Sequence, residues 1–434
     1  MVYRHLLCIL CLVLVLSSCS LIGEQSLNQP SVEERLDDIF TRYTDSGEFS
    51  GAVLVAEGDQ ILFRKGYGFA NREAQIPITP DTQFHIQSIA KLFTYATIMM
   101  EVKAGRVSLD DPIERYVPGF PNGDRTTIDH LLRHRSGLFH YPHEVPGHVY
   151  GSLSTPIPIE TLIKEFEGFP LKFEPGAQFG YSNAGYSMLA RIVEEINEIP
   201  FDKHLQTKIF TPMGMNQTTA NWDSVSQDLA IGYEKVDDEF IRSLADHPSH
   251  FIGAGTTYST VDDMYRWYQA VYIDGSMGEF SPGGGDGRGM GYRAIFWPMP
   301  SFDLVIIILS NYLDAPVHEL VIEVADILLE ETSFIDYDPD DLKALKGQYM
   351  ADSGYGEFSF RIYGSSEELF VSVTDYLGRS LIYELRAISS NQLAFLKEGR
   401  LTGQTLTFKR EDDAIPRELL VDLNVLQLEA QRAD

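Results

Sequence analysis

His85-Ile86-Gln87-Ser88-Ile89-Ala90-Lys91-Leu92-Phe93 sets a hydroxyl and an amine three positions apart at the head of an apolar stretch. Ile89, Leu92, Phe93, Ala96 and Met100 recur every three or four residues, the spacing of one buried helical face. A helix is therefore predicted to follow Ser88 and to stop near Gly105. Residues three apart share a face, so Lys91 lies one turn inward, beside the hydroxyl. The N–H groups at a helix start lack intrahelical partners and are slightly positive, which suits an oxyanion forming at Ser88. The plainer roles for this pair are a helix cap and a solvated first-turn lysine. Ser88-x-x-Lys91 is the one S-x-x-K of the chain, and a string this short is expected about once by composition in a protein of this size.

Outward from that helix, Ser31 to Tyr43 carries apolar residues at one-face spacing and predicts another. Gly51 to Ala56 and Ile61 to Arg64 are β-prone runs around Glu57-Gly58-Asp59-Gln60, a hairpin pattern. Further helices are expected at Tyr186 to Ile196, Val261 to Tyr272 and Val317 to Leu329, with strands at Arg293 to Trp297 and Leu304 to Leu309. Strands at both ends with helices between them indicate an α+β domain with an antiparallel sheet over about residues 31–333. Beyond Asp336 to Asp341, a stretch rich in Asp that reads as the domain boundary, short alternating segments follow at Glu357 to Tyr363, Glu368 to Val373, Ser380 to Leu385 and Thr405 to Phe408. They predict a small all-β domain, sandwich or barrel, over residues 338–434.

The 434 residues are 44% hydrophobic, enough for a sizeable core, and carry 34 Lys plus Arg against 63 Asp plus Glu. A net charge of -29 repels phosphate backbones and disfavours a nucleic-acid partner. The three cysteines, Cys8, Cys11 and Cys19, all lie in the first 19 residues, so the body has no disulfide framework. Arg4 and His5 precede the apolar run Leu6 to Leu16, which is too short to span a bilayer and reads as a secretory leader over residues 1–18. Leu16-Ser17-Ser18-Cys19 resembles the bacterial lipobox, which makes Cys19 the acylated first residue of the mature chain and residues 19–30 its tether. The expectation is a lipid-anchored protein of the bacterial envelope, facing the periplasm on the outer membrane if the cell is Gram-negative.

Tyr181-Ser182-Asn183 is the one Y-x-N, within Phe173-Glu174-Pro175-Gly176-Ala177-Gln178-Phe179-Gly180-Tyr181-Ser182-Asn183-Ala184-Gly185-Tyr186. Thr127 to Leu138, Ile209 to Met215, Gly253-Ala254-Gly255 to Thr260, and Leu304 to Asn311 complete an ordered set over roughly 300 residues. With Ser88 and Lys91, these stretches resemble the serine β-lactamase and penicillin-binding-protein superfamily, in its branch of class-C-type β-lactamases, esterases, D-aminopeptidases and carboxypeptidases. The resemblance implies an antiparallel sheet flanked by helices plus a helical subdomain, followed by a small lipocalin-like all-β domain. It implies that Ser88 is the nucleophile, and that Lys91 and Tyr181 share the general-base work. Asn183 is implied to hydrogen-bond Lys91 and the substrate, and the Ser88 and Gly285 N–H groups to form the oxyanion hole. No cofactor and no metal are implied.

One motif departs from that family. Where the branch carries Lys-Thr-Gly or His-x-Gly, this chain has Pro282-Gly283-Gly284-Gly285-Asp286-Gly287-Arg288-Gly289 before Gly291-Tyr292. The missing cation and hydroxyl are what grip a substrate carboxylate, so penicillins and D-Ala-D-Ala peptides become poorer candidates. Arg288, on a flexible loop, is the expected substitute. Loop residues Phe139, Tyr141 and Tyr150 are expected to line the substrate pocket. His130, His134, His140, His143 and His148 crowd one region and invite a metal reading, which lysine–serine chemistry does not need. Asp237-Asp238-Glu239 reads as a solvated turn. The function expected is a serine hydrolase acting on small ester, amide or peptide substrates through an acyl-enzyme on Ser88. The alternative is a catalytically weak relative that binds cell-wall fragments or an envelope partner.

Overall fold

The computed structural model describes residues 30–433 apart from 227, 277–282, 331, 333, 335–343, 353–356, 365–368, 375–379, 390, 398–399, 409–417 and 424–426. The expected leader, Cys19, nearly all of the tether, Pro282 and the linker Asp336 to Asp341 lie outside the described residues.

Ser31 accepts the Glu34 N–H, and Glu34 accepts the Ser31 N–H at 2.8 Å. This reciprocal cap starts helix α1, Val32–Asp45. The expected hairpin follows as β1, Gly51–Glu57, and β2, Gln60–Tyr67. Three two-stranded ribbons come next: β3, Phe69–Asn71, with β4, Ile76–Pro77; β5, Phe84–His85, with β8, Tyr258–Ser259; and β6, Tyr233–Val236, with β7, Glu239–Arg242. Asp237 and Asp238, both at positive φ, make the turn between the last two.

The main sheet is antiparallel throughout and completed by β9, Gly285–Gly289, β10, Tyr292–Met299, and β11, Leu304–Ser310, in the order β2-β1-β11-β10-β9. All seven residues of β11 are buried, because helices cover both faces of the sheet, which gives the strand its unbroken apolar run. Ala52, Leu54, Val305, Ile307 and Leu309 face a helical lobe. That lobe contains α2, Lys91–Lys103; α3, Ile128–Leu132; α4, Ile159–Glu167; α5, Asn183–Asn197; α6, Phe201–Leu205; and α7, Val261–Tyr268. Alternate residues Val53, Val55, Ile306 and Ile308 face the other way, onto Leu36 and Phe40 of α1 and Leu320 and Val324 of α8, Val317–Leu329. The period-two pleat thus sorts one sheet into two apolar layers.

Eight strands, from β12, Gly347–Asp352, to β19, Gln427–Arg432, each pair with the next and close into a barrel. Its interior is filled by alternate residues, among them Tyr349, Phe360, Val371, Phe395, Leu406 and Leu419. The barrel hydrogen-bonds to the loop joining β10 to β11: Ser301 Oγ lies 2.8 Å from Thr405 Oγ1 and donates to Asp422 at 3.0 Å. That loop is at the opposite end of β10 from Tyr292, whose ring lies 5.7 Å from His85. Eight residues of strand, about 25 Å, separate the two ends. These two hydrogen bonds are therefore made at the end of β10 away from His85.

Candidate active site

The segment carrying Ser88 is set by backbone contacts before any of the four motif side chains enters. Ile86 donates to Thr257 O at 3.0 Å, continuing the β5–β8 ribbon by one residue. Gln87 then takes a positive φ of 54°, and residues Gln87–Ala90 form a 3₁₀ turn that runs into α2. Ala90 and Ile86, not Ser88, occupy the cap positions, and neither makes a side-chain cap bond. Lys91 is buried. The cap-and-solvated-lysine role is thereby excluded.

Ser88 Oγ lies 3.1 Å from Lys91 Nζ and accepts the Tyr181 hydroxyl at 2.9 Å. Lys91 Nζ also donates to Asn183 Oδ1 at 2.9 Å and to the Ala254 carbonyl at 2.6 Å. Asn183 Nδ2 donates to the Tyr141 carbonyl at 3.0 Å, so the amide can only point its oxygen at Lys91. Burial pulls the Lys91 ammonium down to about 7, because charge is costly away from water. A neutral amine has two N–H groups. Asn183 and Ala254 use both, which leaves the lone pair directed at Ser88.

Tyr181 is different. Burial pushes its phenol up to about 12, against the opposing bond with Ser88. It is therefore a neutral hydroxyl near neutral pH, able to donate a proton to Ser88 Oγ.

Tyr181 and Asn183 are positioned by the residue between them. Ser182 caps α5, its Oγ accepting the Gly185 N–H at 3.0 Å and donating to Phe139 O at 2.9 Å. Its N–H donates to His134 Nδ1 at 3.2 Å. Burial holds the His134 imidazole well below its ordinary range, so that nitrogen stays an acceptor.

Gly285–Gly289, the second part of the glycine-rich stretch, is strand β9, not a loop, and Arg288 sits on it. Gly287 is glycine for a steric reason: a Cβ there would stand 2.4 Å from Ile86 O, whereas one on Gly285 would make only ordinary contact with Ile89 and Leu92. Only glycine lets the strand lie this close to the nucleophile turn. Gly287→Ala is accordingly expected to push β9 away and lower kcat by about tenfold to a hundredfold; unchanged kcat would mean that the contact does not matter.

Asp286, Arg288 and Met290 line the cleft, whereas Gly285 does not. Arg288 pairs with Asp314 at 2.6 Å, and Arg293 grips Asp286 at 2.9 and 2.7 Å. Burial raises the Asp286 carboxyl, but His318 and Arg293 outweigh that effect and leave it below its ordinary value.

Tyr141, expected to bind substrate, is not among the residues lining the cleft at Ser88. Its side chain is buried, with its hydroxyl bonded to Glu165 at 3.0 Å and His250 at 2.8 Å; its carbonyl, by orienting Asn183, is what serves the site. Phe139 likewise stacks on Phe169 at 4.0 Å. Of the three loop aromatics expected there, Tyr150 lines the cleft, a hollow of about 260 Å³ containing Ser88, Tyr181 and Asn183. His140 and His143 also line it. Burial lowers both, His140 to about 4, so they are neutral near neutral pH. His148 pairs with Asp246 at 2.7 Å behind them. Among the described residues, no three His, Cys, Asp or Glu side chains are grouped to hold a metal. A larger hollow of about 880 Å³, walled by Glu160, Glu194 and Trp222, contains none of the four motif side chains.

Sequence reasoning missed the Ala254 carbonyl, since a backbone acceptor has no side-chain signature, and missed His134 as the support of Ser182. The quoted stretches Gly253-Ala254-Gly255 and Thr127 to Leu138 hold both residues.

A sequence model of the family described as Beta-lactamase matches residues 36–282. The putative penicillin-binding protein PbpX of Bacillus subtilis (strain 168) is 31% identical over 252 residues, 56% of this chain and 62% of that protein. Esterase EstB of Burkholderia gladioli is 31% identical over 204 residues, 44% of this chain and 52% of that protein. The chain thus spans little more than half the length of the curated relatives it matches. Among solved structures, D-amino acid amidase from Ochrobactrum anthropi SV3 aligns with a TM-score of 0.61 at 22% identity, covering 69% of this chain and 99% of that one. The octameric penicillin-binding protein homologue from Pyrococcus abyssi aligns with 0.54 at 22% identity, covering 91% and 99%. At these identities the likeness is one of fold.

Proposed function

The chain belongs to the Beta-lactamase family, and on that premise we propose that it is a serine hydrolase that cleaves uncharged ester or amide substrates through an acyl-enzyme on Ser88. The observation that carries this reading is the buried Lys91 amine, whose two N–H groups are taken by Asn183 and Ala254 while Ser88 Oγ stands 3.1 Å away.

In the first step Ser88 Oγ attacks the substrate carbonyl carbon and its proton passes to Lys91 Nζ. The carbonyl oxygen becomes an oxyanion beside the Ser88 N–H at the start of the helix. On collapse the bond to the leaving group breaks, and the proton held by Lys91 is returned to the leaving atom, with the Tyr181 hydroxyl placed to relay it. Water then attacks the acyl carbon with the same groups in reversed roles, releasing the acid and restoring the Ser88 hydroxyl.

The preference for uncharged substrates rests on the ion pairs at the rim. Arg288 is bonded to Asp314, and Arg293 to Asp286. Neither is free to grip a substrate carboxylate. The expected result is turnover of p-nitrophenyl acetate with kcat/KM at least about a hundredfold above that for a penicillin, whose carboxylate meets an unfavourable site. Penicillin turned over as well as the ester would overturn the substrate assignment. Reaction with neither would favour the binding-protein alternative.

A further inference from the structure

We propose that His85 is a positioning residue, whose Nδ1 holds Gln87 in its left-handed conformation and so aims Ser88 Oγ at Lys91. This inference rests on the serine-hydrolase reading of Ser88.

Gln87 immediately precedes Ser88, and its φ of 54° is one that residues with a Cβ rarely adopt. Such a conformation persists only where the surroundings over-determine it. On its N-terminal side, Ile86 is held between Thr257 O and the close approach of Gly287. The Gln87 N–H itself donates to His85 Nδ1 at 3.2 Å, a side-chain bond two residues back. The left-handed turn and the donor that stabilises it thus belong to the same peptide.

The His85 ring is 3% exposed, met edge-on by Tyr258 at 4.7 Å and flanked by Tyr292 at 5.7 Å. Burial lowers its pKa to about 3, so the imidazole is neutral. With Nδ1 accepting, its proton is on Nε2, which is buried and has no hydrogen-bond partner among the described residues. A buried, unpartnered N–H destabilises the fold. Phenylalanine would fill the same aromatic cage without that loss. What histidine supplies beyond phenylalanine here is the acceptor for Gln87.

The test compares His85→Phe, which keeps a flat ring and removes the acceptor, with His85→Asn, whose side-chain oxygen can accept the same N–H. With p-nitrophenyl acetate, His85→Phe is expected to lower kcat by about tenfold to a hundredfold with KM little changed, as for a misaimed nucleophile. His85→Asn should recover most of that loss even though it packs less well and melts lower. Adding Gln87→Gly to His85→Phe should also restore part of kcat, because glycine adopts positive φ freely. If His85→Phe does not fold, His85→Asn against His85→Ala carries the same comparison. Full kcat in the variant lacking the acceptor, or an equal loss in His85→Asn, overturns the proposal. Lack of turnover by the wild type would instead overturn the reading of Ser88.

Discussion

Ser88→Ala is expected to turn over neither ester nor amide and to take no label from a fluorophosphonate, a loss of about 10⁴-fold or more in kcat. The magnitude follows from what remains. Lys91, Tyr181 and Asn183 are still present, but the hydroxyl that they are arranged around is gone. The fold should be unaffected, with a melting temperature within a few degrees of wild type, because among the described residues Ser88 Oγ hydrogen-bonds to Lys91 and Tyr181 of the site alone. Intact-mass analysis after labelling checks the expectation directly. An adduct that survives the substitution would place the nucleophile elsewhere.

Lys91→Met is expected to lower kcat by about 10³-fold or more while leaving Ser88 in place. The thioether fills much of the amine's volume and cannot accept a proton. Its effect on stability is a balance of two terms. A lysine ordinarily titrates near 10.4, whereas Lys91 is drawn down to about 7. Between those values the unfolded chain binds a proton that the folded chain does not, so stability falls as pH drops from about 10 to about 7 and then levels. Lys91→Met removes that slope. Against this gain, Asn183 Oδ1 and Ala254 O lose their donor, at about 1–3 kcal/mol for each acceptor left unpaired. The two effects oppose each other, and near neutral pH the melting temperature should stay within a few degrees. A large fall in both activity and melting temperature would make Lys91 a structural residue instead.

The parts of the site legible in the sequence were those fixed by local spacing. Ser88 and Lys91 share a helical face because three residues separate them, and Tyr181 and Asn183 flank the cap of the next motif helix. That these two pairs meet is a long-range fact, carried by the family resemblance and not by periodicity. Strand β9 was misread because its glycines alternate with Asp286 and Arg288; one face is empty so that Ile86 can approach, and no apolar pattern remains to mark a strand. Tyr141 looked like a loop aromatic because the groups that bury its hydroxyl, Glu165 and His250, are distant in sequence. The alternation of the C-terminal segments gave short strands correctly. Closure into a barrel instead of a sandwich depends on the pairing of β12 with β19, which no local pattern records.

The central claim is that an uncharged amine on Lys91 deprotonates Ser88. Its most direct test is the rate of Ser88 phosphonylation in the wild-type protein, followed by intact mass across the range from acid to alkaline pH. A lysine drawn down to about 7 predicts a rate that climbs about tenfold per pH unit in acid and flattens above neutrality, since only the neutral amine has a lone pair to accept the proton. A limb near lysine's ordinary value of about 10.4, or a labelling rate at Ser88 that does not change with pH, would contradict it.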